Sequence, residues 1–368
     1  MGRSGLVLTV LLCSLVVACT QADDERGSEG NNSGAADAAD GAADASGPES
    51  GGTGGDSAGD GAGGGGATTV AKMLDRPCFA IALGGEFLYA LTRGDYALLR
   101  MPANGGPAET VGTNTKMTAL AATAGSVVAL AGDSILKFAP DGTQGTLVQG
   151  LKKPSAVAIL GDHVYWTDID AVQKAPLSGG AVITVAANQA TPTGLAIAGG
   201  RVFWTNRGDG TIVSAALAGP DLTTLASGQT QPNAIASDGA TVCWTNRGSL
   251  FVDVSLDDGE LVRIATSGGA PTILATALNL PSAVALDATA VYWANWGSLV
   301  ASGMPKPNGG VYKLGTGDAV PQVLAAGQDG VAALALGTTR VYWCAEGASG
   351  AFSGDAGATG GIYSAPKG

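Results

Sequence analysis

The chain has 368 residues, with 19 Lys and Arg against 31 Asp and Glu, a single histidine and a formal net charge of -12. This acidic balance argues against nucleic acid as a partner, because nucleic-acid-binding proteins present basic surfaces to phosphate. One histidine also excludes a histidine metal cluster.

The first 19 residues predict an export signal. Arg3 supplies a positive start, and Leu6 to Val17 form an apolar stretch that is short for a membrane span. The stretch ends in Val16-Val17-Ala18-Cys19, which resembles the lipobox of bacterial lipoproteins, where the cysteine becomes the acylated first residue. The resemblance implies a lipid on Cys19 and, because Thr20 follows in place of aspartate, the outer membrane of the cell envelope. An ordinary signal peptide with a chance cysteine is the alternative.

Residues 20–66 predict a disordered linker. These 47 residues are mostly Gly, Ala, Ser, Asp and Glu, and none is aromatic or a β-branched apolar residue, so the segment has nothing to bury. Ten acidic residues against Arg26 give the linker a net charge of -9, which leaves only -4 for residues 67–368. The acidic linker would be repelled by an anionic membrane surface.

A short phrase of alternating small and apolar residues recurs seven times after the linker and predicts the fold. The seven copies are Ala80–Leu83, Ala119–Ala122, Ala156–Ile159, Gly194–Ile197, Ala234–Ser237, Ala283–Leu286 and Ala333–Leu336. A second β-type run follows each copy, and in five units it carries a tryptophan: Trp166, Trp204, Trp244, Trp293 and Trp343. The starts of these second runs are 41, 36, 38, 40, 49 and 50 residues apart. A period near 40 residues with several short strands per unit is typical of a β-propeller.

We therefore predict an all-β domain over residues 67–368, a seven-bladed β-propeller with four strands per blade. The last unit ends after its third strand, at Ala365. Residues 68–74 have the character of the missing fourth strand, and we expect them to pair beside Ile362–Ala365 and close the ring, which would remove the open edges. Six blades with an irregular first unit is the alternative.

Three cysteines remain after the signal peptide, in an export pathway that permits disulfides. Cys78 precedes the first strand of the first blade, and Cys344 ends the second strand of the last blade. Both positions belong on one face of neighbouring blades, so we predict a Cys78–Cys344 disulfide at the seam. Two unpaired buried thiols are the alternative, and Cys243 is expected to be a free core thiol.

The tryptophan runs carry a recognisable tetrapeptide. Tyr165-Trp166-Thr167-Asp168 is a complete YWTD sequence, and the runs ending at Asn206, Asn246 and Asn295 are variants of it. The chain thus resembles YWTD propellers of the low-density-lipoprotein-receptor class B kind and, more loosely, NHL-type bacterial propellers. The resemblance implies a fold and no particular function. It departs from the family in two respects, since asparagine replaces the aspartate in three units and YWTD propellers have six blades.

The sequence offers little for catalysis. His163 lies in a tight turn with no nucleophile suggested beside it, so we expect a solvated turn residue. Asp168 and Asp170 are weak candidates for a calcium ion, because the other ligands of a calcium loop are missing. No cofactor is expected.

Binding is the better supported function. The loops after the second strand of each blade share one face with the loops that lead into the first strand. The candidate ligand-binding residues on this face are Asn206, Arg207, Asp209, Asn246, Arg247, Asn295, Trp296 and Glu346. Three consecutive blades have long loops on this face, around 249–260, 298–310 and 348–361. Trp296 is expected to be an exposed aromatic residue among these loops. The competing interpretation is that each asparagine caps its own turn.

The leading hypothesis is a lipid-anchored, monomeric envelope propeller that binds a protein, peptide or glycan without catalysis. The alternative is an enzyme that resembles the seven-bladed streptogramin lyases, which would need a metal and a general base on the channel face. A third possibility is a propeller with a purely structural role.

Overall fold

The computed structural model describes residues 71–368 except 115, 140, 220, 252–253, 256, 298–307, 329 and 348–359. The signal peptide, the lipidation site, the linker and residues 68–70 lie outside the described residues. All regular secondary structure in the described part is β-strand. No helix of that part is long and apolar enough to cross a membrane.

Thirty strands follow one another along the chain. They are β1 (Ala71–Leu74), β2 (Cys78–Gly84), β3 (Phe87–Thr92), β4 (Ala97–Pro102), β5 (Glu109–Thr113), β6 (Met117–Ala122), β7 (Val127–Ala131), β8 (Ser134–Phe138), β9 (Gln144–Gln149), β10 (Val157–Leu160), β11 (His163–Asp168), β12 (Ala171–Pro176), β13 (Ile183–Ala187), β14 (Pro192–Ala198), β15 (Arg201–Asn206), β16 (Thr211–Ala216), β17 (Leu222–Ala226), β18 (Pro232–Ser237), β19 (Thr241–Asn246), β20 (Leu250–Phe251), β21 (Val254–Ser255), β22 (Gly259–Ala265), β23 (Thr272–Leu278), β24 (Pro281–Leu286), β25 (Ala290–Asn295), β26 (Gly309–Gly315), β27 (Gln322–Gln328), β28 (Val331–Leu336), β29 (Arg340–Ala345) and β30 (Gly361–Pro366).

These strands form seven four-stranded antiparallel sheets, the blades of a β-propeller. Within each blade we label the strands A to D from the axis outward. Blades 1 to 4 are β2–β5, β6–β9, β10–β13 and β14–β17, blade 5 is β18-β19-β22-β23, and blade 6 is β24–β27. The small hairpin β20–β21 belongs to the B–C loop of blade 5. The predicted seven-bladed architecture is confirmed, and the six-bladed alternative is wrong.

The ring closes as predicted. Blade 7 has the order β28-β29-β30-β1, so its outermost strand comes from the start of the domain. Ala71 pairs with Ser364 and Leu74 pairs with Ile362. Closure by the N-terminal strand ties the two ends of the domain into one sheet, which removes a free sheet edge.

Small residues allow the innermost strands to approach closely. At Gly194 in β14, an added Cβ would lie 2.2 Å from the carbonyl oxygen of Asn233 in the next blade. Around this crowded centre the five strand B tryptophans are buried, each at 0–1% exposure. The strand A phrase and the tryptophan run therefore form the core between blades.

The seam between blades 7 and 1 carries further links. Cys78 and Cys344 form a disulfide with their Cα atoms 5.4 Å apart. Close by, Arg93 Nη2 donates to Glu346 Oε1 at 2.7 Å. Cys243 is a buried free thiol in strand B of blade 5.

Candidate functional site

Two sets of loops share one face of the propeller. Strand A begins where strand B ends, as shown by the pairing of Pro192 with Asn206 in blade 4. The D–A loops and the B–C loops therefore meet, and we call their side the loop face. The A–B and C–D turns form the opposite side, the turn face.

Strained D–A loops hold the residue that follows strand B. Thr191, Gln231 and Leu280 have φ angles of 54°, 52° and 51°, a left-handed conformation that is unusual for residues with a Cβ and rarer still for a β-branched one. Gly330 occupies the same place in blade 7 with φ 67°. Each carbonyl oxygen accepts the N–H of a B–C loop residue at 3.0–3.1 Å, in the pairs Arg207–Thr191, Arg247–Gln231, Trp296–Leu280 and Glu346–Gly330. Four candidate residues thus occupy equivalent positions on four consecutive blades.

The three candidate asparagines lie beneath this surface. Asn206, Asn246 and Asn295 are only 2–4% exposed. Asn206 Nδ2 donates to Gln189 Oε1 and to Thr211 Oγ1, both at 3.0 Å. The prediction that these side chains lie on the binding surface is therefore corrected for all three residues. The amides of Asn206 and Asn246 brace the loops, as the turn-capping interpretation expected. The Asn295 Oδ1 is buried without a hydrogen-bond partner among the described residues.

A set of glutamines that the sequence analysis missed connects the tryptophans to this network. Trp204, Trp244 and Trp343 donate their indole N–H at 2.9–3.1 Å to the Oε1 atoms of Gln189, Gln229 and Gln328, respectively. Each glutamine stands 15 residues before its tryptophan. Leucine occupies that place in blades 3 and 6, as Leu151 and Leu278, and the Nε1 atoms of Trp166 and Trp293 have no hydrogen-bond partner. This fixed spacing is the sequence signal that could have revealed the glutamines.

Gln231 joins two arginines of adjacent blades. Its side-chain Oε1 accepts from Arg207 Nη2 at 2.9 Å, and its carbonyl oxygen accepts from the Arg247 N–H at 3.1 Å. All three residues are half-buried on the loop face. We call Arg207, Gln231 and Arg247 the arginine site.

Three carboxylates of the same two B–C loops accept hydrogen bonds from nearby backbone or side-chain groups. Asp209 Oδ1 accepts from the backbone and hydroxyl of Thr211, so the predicted binding residue Asp209 caps its own turn. Asp258 accepts from the Ser249 N–H at 2.8 Å. Glu260 accepts from Asn246 Nδ2 at 3.1 Å.

Glu346 and Trp296 lie on either side of Gly330 on the loop face. The Glu346 carboxylate is paired with Arg93, and burial raises the pKa of that carboxyl although the guanidinium opposes the shift. Trp296 is half-buried, and its indole nitrogen would lie 3.2 Å from a Cβ added at Gly330. The expectation of an exposed-loop aromatic is corrected accordingly, because the ring packs on the neighbouring D–A loop.

The long loops on blades 6 and 7 begin and end on closely packed stems. A Cβ at Gly309 would lie 2.8 Å from the carbonyl oxygens of Asn295 and Trp296, and a Cβ at Gly360 would lie 2.6 Å from that of Glu346. Both stems therefore need glycine. The central parts of these two predicted loops lie outside the described residues.

The candidate calcium and histidine positions show ordinary local contacts. Asp168 is 6% exposed, and its two oxygens accept from the backbone N–H groups of Lys152, Lys153 and Ile169. Asp170 is exposed. His163 Nδ1 lies 2.6 Å from Asp162 Oδ1 on the turn face. Within the described ranges, no three His, Cys, Asp or Glu residues are grouped to hold a metal ion.

Two of the surface cavities formed by the described residues open on the turn face. One of about 20 Å³ lies beside Tyr89 and Phe138 between blades 1 and 2. The other, of about 310 Å³, is lined by Arg263 and the Gly268-Gly269 turn of blade 5. Neither coincides with the arginine site.

Comparisons with known proteins support the fold. No protein-family model matches the chain, and no curated protein matches it. Among solved structures, a computationally designed protein, Ika8, is 17% identical with a TM-score of 0.51, over 73% of this chain and 81% of that one. YCF48 from Cyanidioschyzon merolae is 12% identical with a TM-score of 0.56, over 81% of this chain and 98% of that one. A chain of a nidogen/laminin complex is 20% identical with a TM-score of 0.47, over 58% of this chain and 82% of that one.

At these identities the comparisons establish the fold alone. Together with the strand topology they define the class of protein, a seven-bladed β-propeller closed by its N-terminal strand.

Proposed function

We propose that this propeller is a non-catalytic binding module whose loop face recognises a macromolecular partner. The observation that carries the proposal is the set of B–C loop residues held at equivalent positions on blades 4 to 7 by left-handed D–A loops. Backbone strain of this kind concentrates at functional sites, and rigid scaffolds that present loop residues are suited to binding.

We further propose that the chain is a lipoprotein of the outer membrane, anchored through Cys19, with kinship to YWTD-type propellers. Strand β1 runs from the turn-face side of blade 7 toward the loop face, since Ala71 pairs with Ser364 and Leu74 pairs with Ile362. The lyase-like alternative stays an untested prediction.

Selective shielding of the two faces tests the binding proposal. Thr230 is exposed on the loop face, and Ser178 is exposed in a C–D turn on the turn face. The full-length Thr230→Cys and Ser178→Cys proteins would each be coupled to a polyethylene-glycol maleimide. Cys243 is buried and Cys78 and Cys344 are bonded, so labelling within the propeller is confined to the introduced thiol.

The unlabelled protein is first cross-linked to its partners in envelope extracts. The readout is how much of these partners each labelled protein captures. We expect the label on Thr230→Cys to abolish their capture and the label on Ser178→Cys to leave it intact. Reaction at Cys13 or Cys19 is common to both variants and does not affect the comparison. Equal capture by the two labelled proteins would refute the loop face as the binding surface.

A further inference from the structure

Each blade places a positive charge at the same position near the turn face. In five blades the charge is carried by strand C, close to the C–D turn, on Arg100, Lys137, Lys174, Arg263 and Lys313. Blades 4 and 7 carry Ser214 and Ser364 there instead. In these two blades the arginine that begins strand B reaches the serine hydroxyl, Arg201 at 3.0 Å and Arg340 at 2.9 Å. We call this place the cation position of a blade.

In every blade except blade 5, the residue at the cation position has a partner within the protein. The contacts are Arg100 with Glu109, Lys137 with the Leu177 carbonyl oxygen, Lys174 with the Tyr165 ring, Arg201 with Asp221, Lys313 with the Lys367 carbonyl oxygen and Arg340 with Ser364. Among the described residues, Arg263 has neither a hydrogen-bond partner nor an ion-pair partner. The residues that pair with it on the neighbouring strands, Cys243 and Thr272, are a buried thiol and an uncharged hydroxyl residue.

Arg263 also lines the turn-face cavity of about 310 Å³, which we call the blade 5 cavity. An alanine accounts for its open space. The carbonyl oxygen at the end of strand C accepts the N–H of the first turn glycine, and its residue is Ala265 in blade 5 but proline in blades 1 and 3. The proline rings lie 3.3 and 3.7 Å from a Cβ added at the second turn glycine, in the pairs Pro102–Gly106 and Pro176–Gly180. A Cβ added at the equivalent Gly269 would meet nothing within 4 Å, so the missing ring leaves the cavity open.

We propose that the blade 5 cavity binds a small molecule that carries one carboxylate. The planar guanidinium of Arg263 offers paired N–H donors that match the two oxygens of a carboxylate. Thr241 and Thr272 add hydroxyl groups to the cavity wall, and Ile264 and Ala270 add apolar surface. A volume of about 310 Å³ lies at the lower end of the usual range for ligand sites, which suits a small ligand.

The charge of the site favours a carboxylate over phosphate. Arg263 is the one charged residue among those that line the cavity in the described part of the chain, so it balances a single negative charge. In the adjoining A–B turn, the Asp238 carboxylate accepts the N–H groups of Ala240 and Thr241, and it would repel the second charge of a phosphate dianion. The cavity opens on the turn face, so this inference goes beyond the proposed loop-face function and does not depend on it.

Titration of the full-length protein with benzoate, followed by ligand-observed NMR, tests the inference. Benzamide is the uncharged probe of similar shape, and inorganic phosphate is the competing anion. The cavity variants are Arg263→Gln, which removes the guanidinium, and Thr272→Glu, which gives Arg263 the strand D carboxylate that Glu109 gives Arg100 in blade 1. The matched control is Lys153→Gln, which removes an exposed charge on the loop face.

We expect each cavity variant to weaken benzoate binding about tenfold, as loss of a charge-assisted hydrogen bond predicts. In Arg263→Gln the donor is gone, and in Thr272→Glu the new carboxylate occupies it. Lys153→Gln should bind benzoate as the unaltered protein does. Benzamide should bind the unaltered protein more weakly than benzoate, because it lacks the charge that the guanidinium recognises.

Equal benzoate affinity in the unaltered protein and in either folded cavity variant would overturn the inference. Tighter binding of phosphate than of benzoate, or no binding of benzoate to the unaltered protein, would overturn it as well. Thermal unfolding verifies the fold of each variant. Thr272→Glu keeps the test decisive should Arg263→Gln not fold, because it leaves the arginine in place.

Discussion

Single glutamines before strand A stabilise the blades by accepting hydrogen bonds from buried donors of strand B. Gln229 Oε1 accepts from Trp244 Nε1 at 2.9 Å and from Asn246 Nδ2 at 3.0 Å. A buried N–H group that loses its acceptor still carries the free-energy cost of its desolvation, and two such N–H groups share the Gln229 oxygen.

We predict that Gln229→Leu lowers the free energy of unfolding by about 1–3 kcal/mol, because two buried donors lose their acceptor. Urea unfolding followed by tryptophan fluorescence measures the change. The matched control is Gln144→Leu in β9, where the side chain is exposed and an effect within about 0.5 kcal/mol is expected. Equal effects of the two substitutions would contradict the structural role of Gln229.

We predict that the buried thiol of Cys243 makes the stability of the protein depend on pH above pH 9. Burial raises its pKa from 9.0 to about 12, so above pH 9 the thiol ionises in the unfolded chain before it ionises in the folded one. Its contribution to stability is therefore complete below pH 9 and is lost as the pH rises from there toward about 12.

Between about pH 9 and about pH 11, we expect the unaltered protein to lose about 1.4 kcal/mol more per pH unit than Cys243→Ala does. Urea unfolding of both proteins at several pH values gives the difference. Parallel curves across this range would show that the thiol is not buried as described.

At the scale of the strand, the closing pair β1–β30 depends on one glycine. A Cβ at Gly361 would lie 2.4 Å from the carbonyl oxygen of Leu74 and 2.9 Å from Cε of Lys72. Both contacts belong to β1, so a side chain at this position displaces the strand that completes blade 7.

Gly361→Ala is accordingly expected to destabilise the propeller by about 1–3 kcal/mol, the usual cost of overpacking. Gly145→Ala in β9 is the matched control, since a Cβ there meets nothing within 4 Å. Thermal unfolding of the two variants provides the comparison. If Gly361→Ala unfolds at the temperature of the control, β1 is not packed against β30 as described.

Strands could be predicted from the sequence more fully than loops. The strand A phrase and the tryptophan run are local patterns of alternating burial, and each copy reinforces the others. The closing strand was predictable because the last unit visibly lacked its fourth run. The pairing of Arg93 with Glu346, 253 residues apart, left no local signal.

The candidate site was predicted only in part for a similar reason. The equivalent positions of Arg207, Arg247, Trp296 and Glu346 followed from their place after strand B. The burial of Asn206, Asn246 and Asn295 did not, because an asparagine that braces a loop and one that faces solvent share the same sequence context. The role of Gln231 depends on contacts between blades, which a pattern within one repeat does not encode.

At the scale of the whole molecule, the seam joins the ends of the ring through β1, through the Arg93–Glu346 pair and through the Cys78–Cys344 disulfide, which spans 266 residues of sequence. We predict that the Cys78→Ala/Cys344→Ala variant is about 2–4 kcal/mol less stable than the unaltered protein. A reductant should lower the unfolding temperature of the unaltered protein and leave that of the double variant unchanged. Alkylation of Cys78 or Cys344 in the unreduced, unfolded protein would contradict the bond.

The central claim is that partners bind the loop face and leave the turn face free. Hydrogen–deuterium exchange of the full-length protein, with and without its captured partner, tests it most directly. We predict slower exchange in the complex at residues 188–193, 206–211 and 228–233, around the arginine site, and no change at the turn-face residues 178–181 and 217–219. Protection at the turn-face residues, with none around the arginine site, would contradict the account.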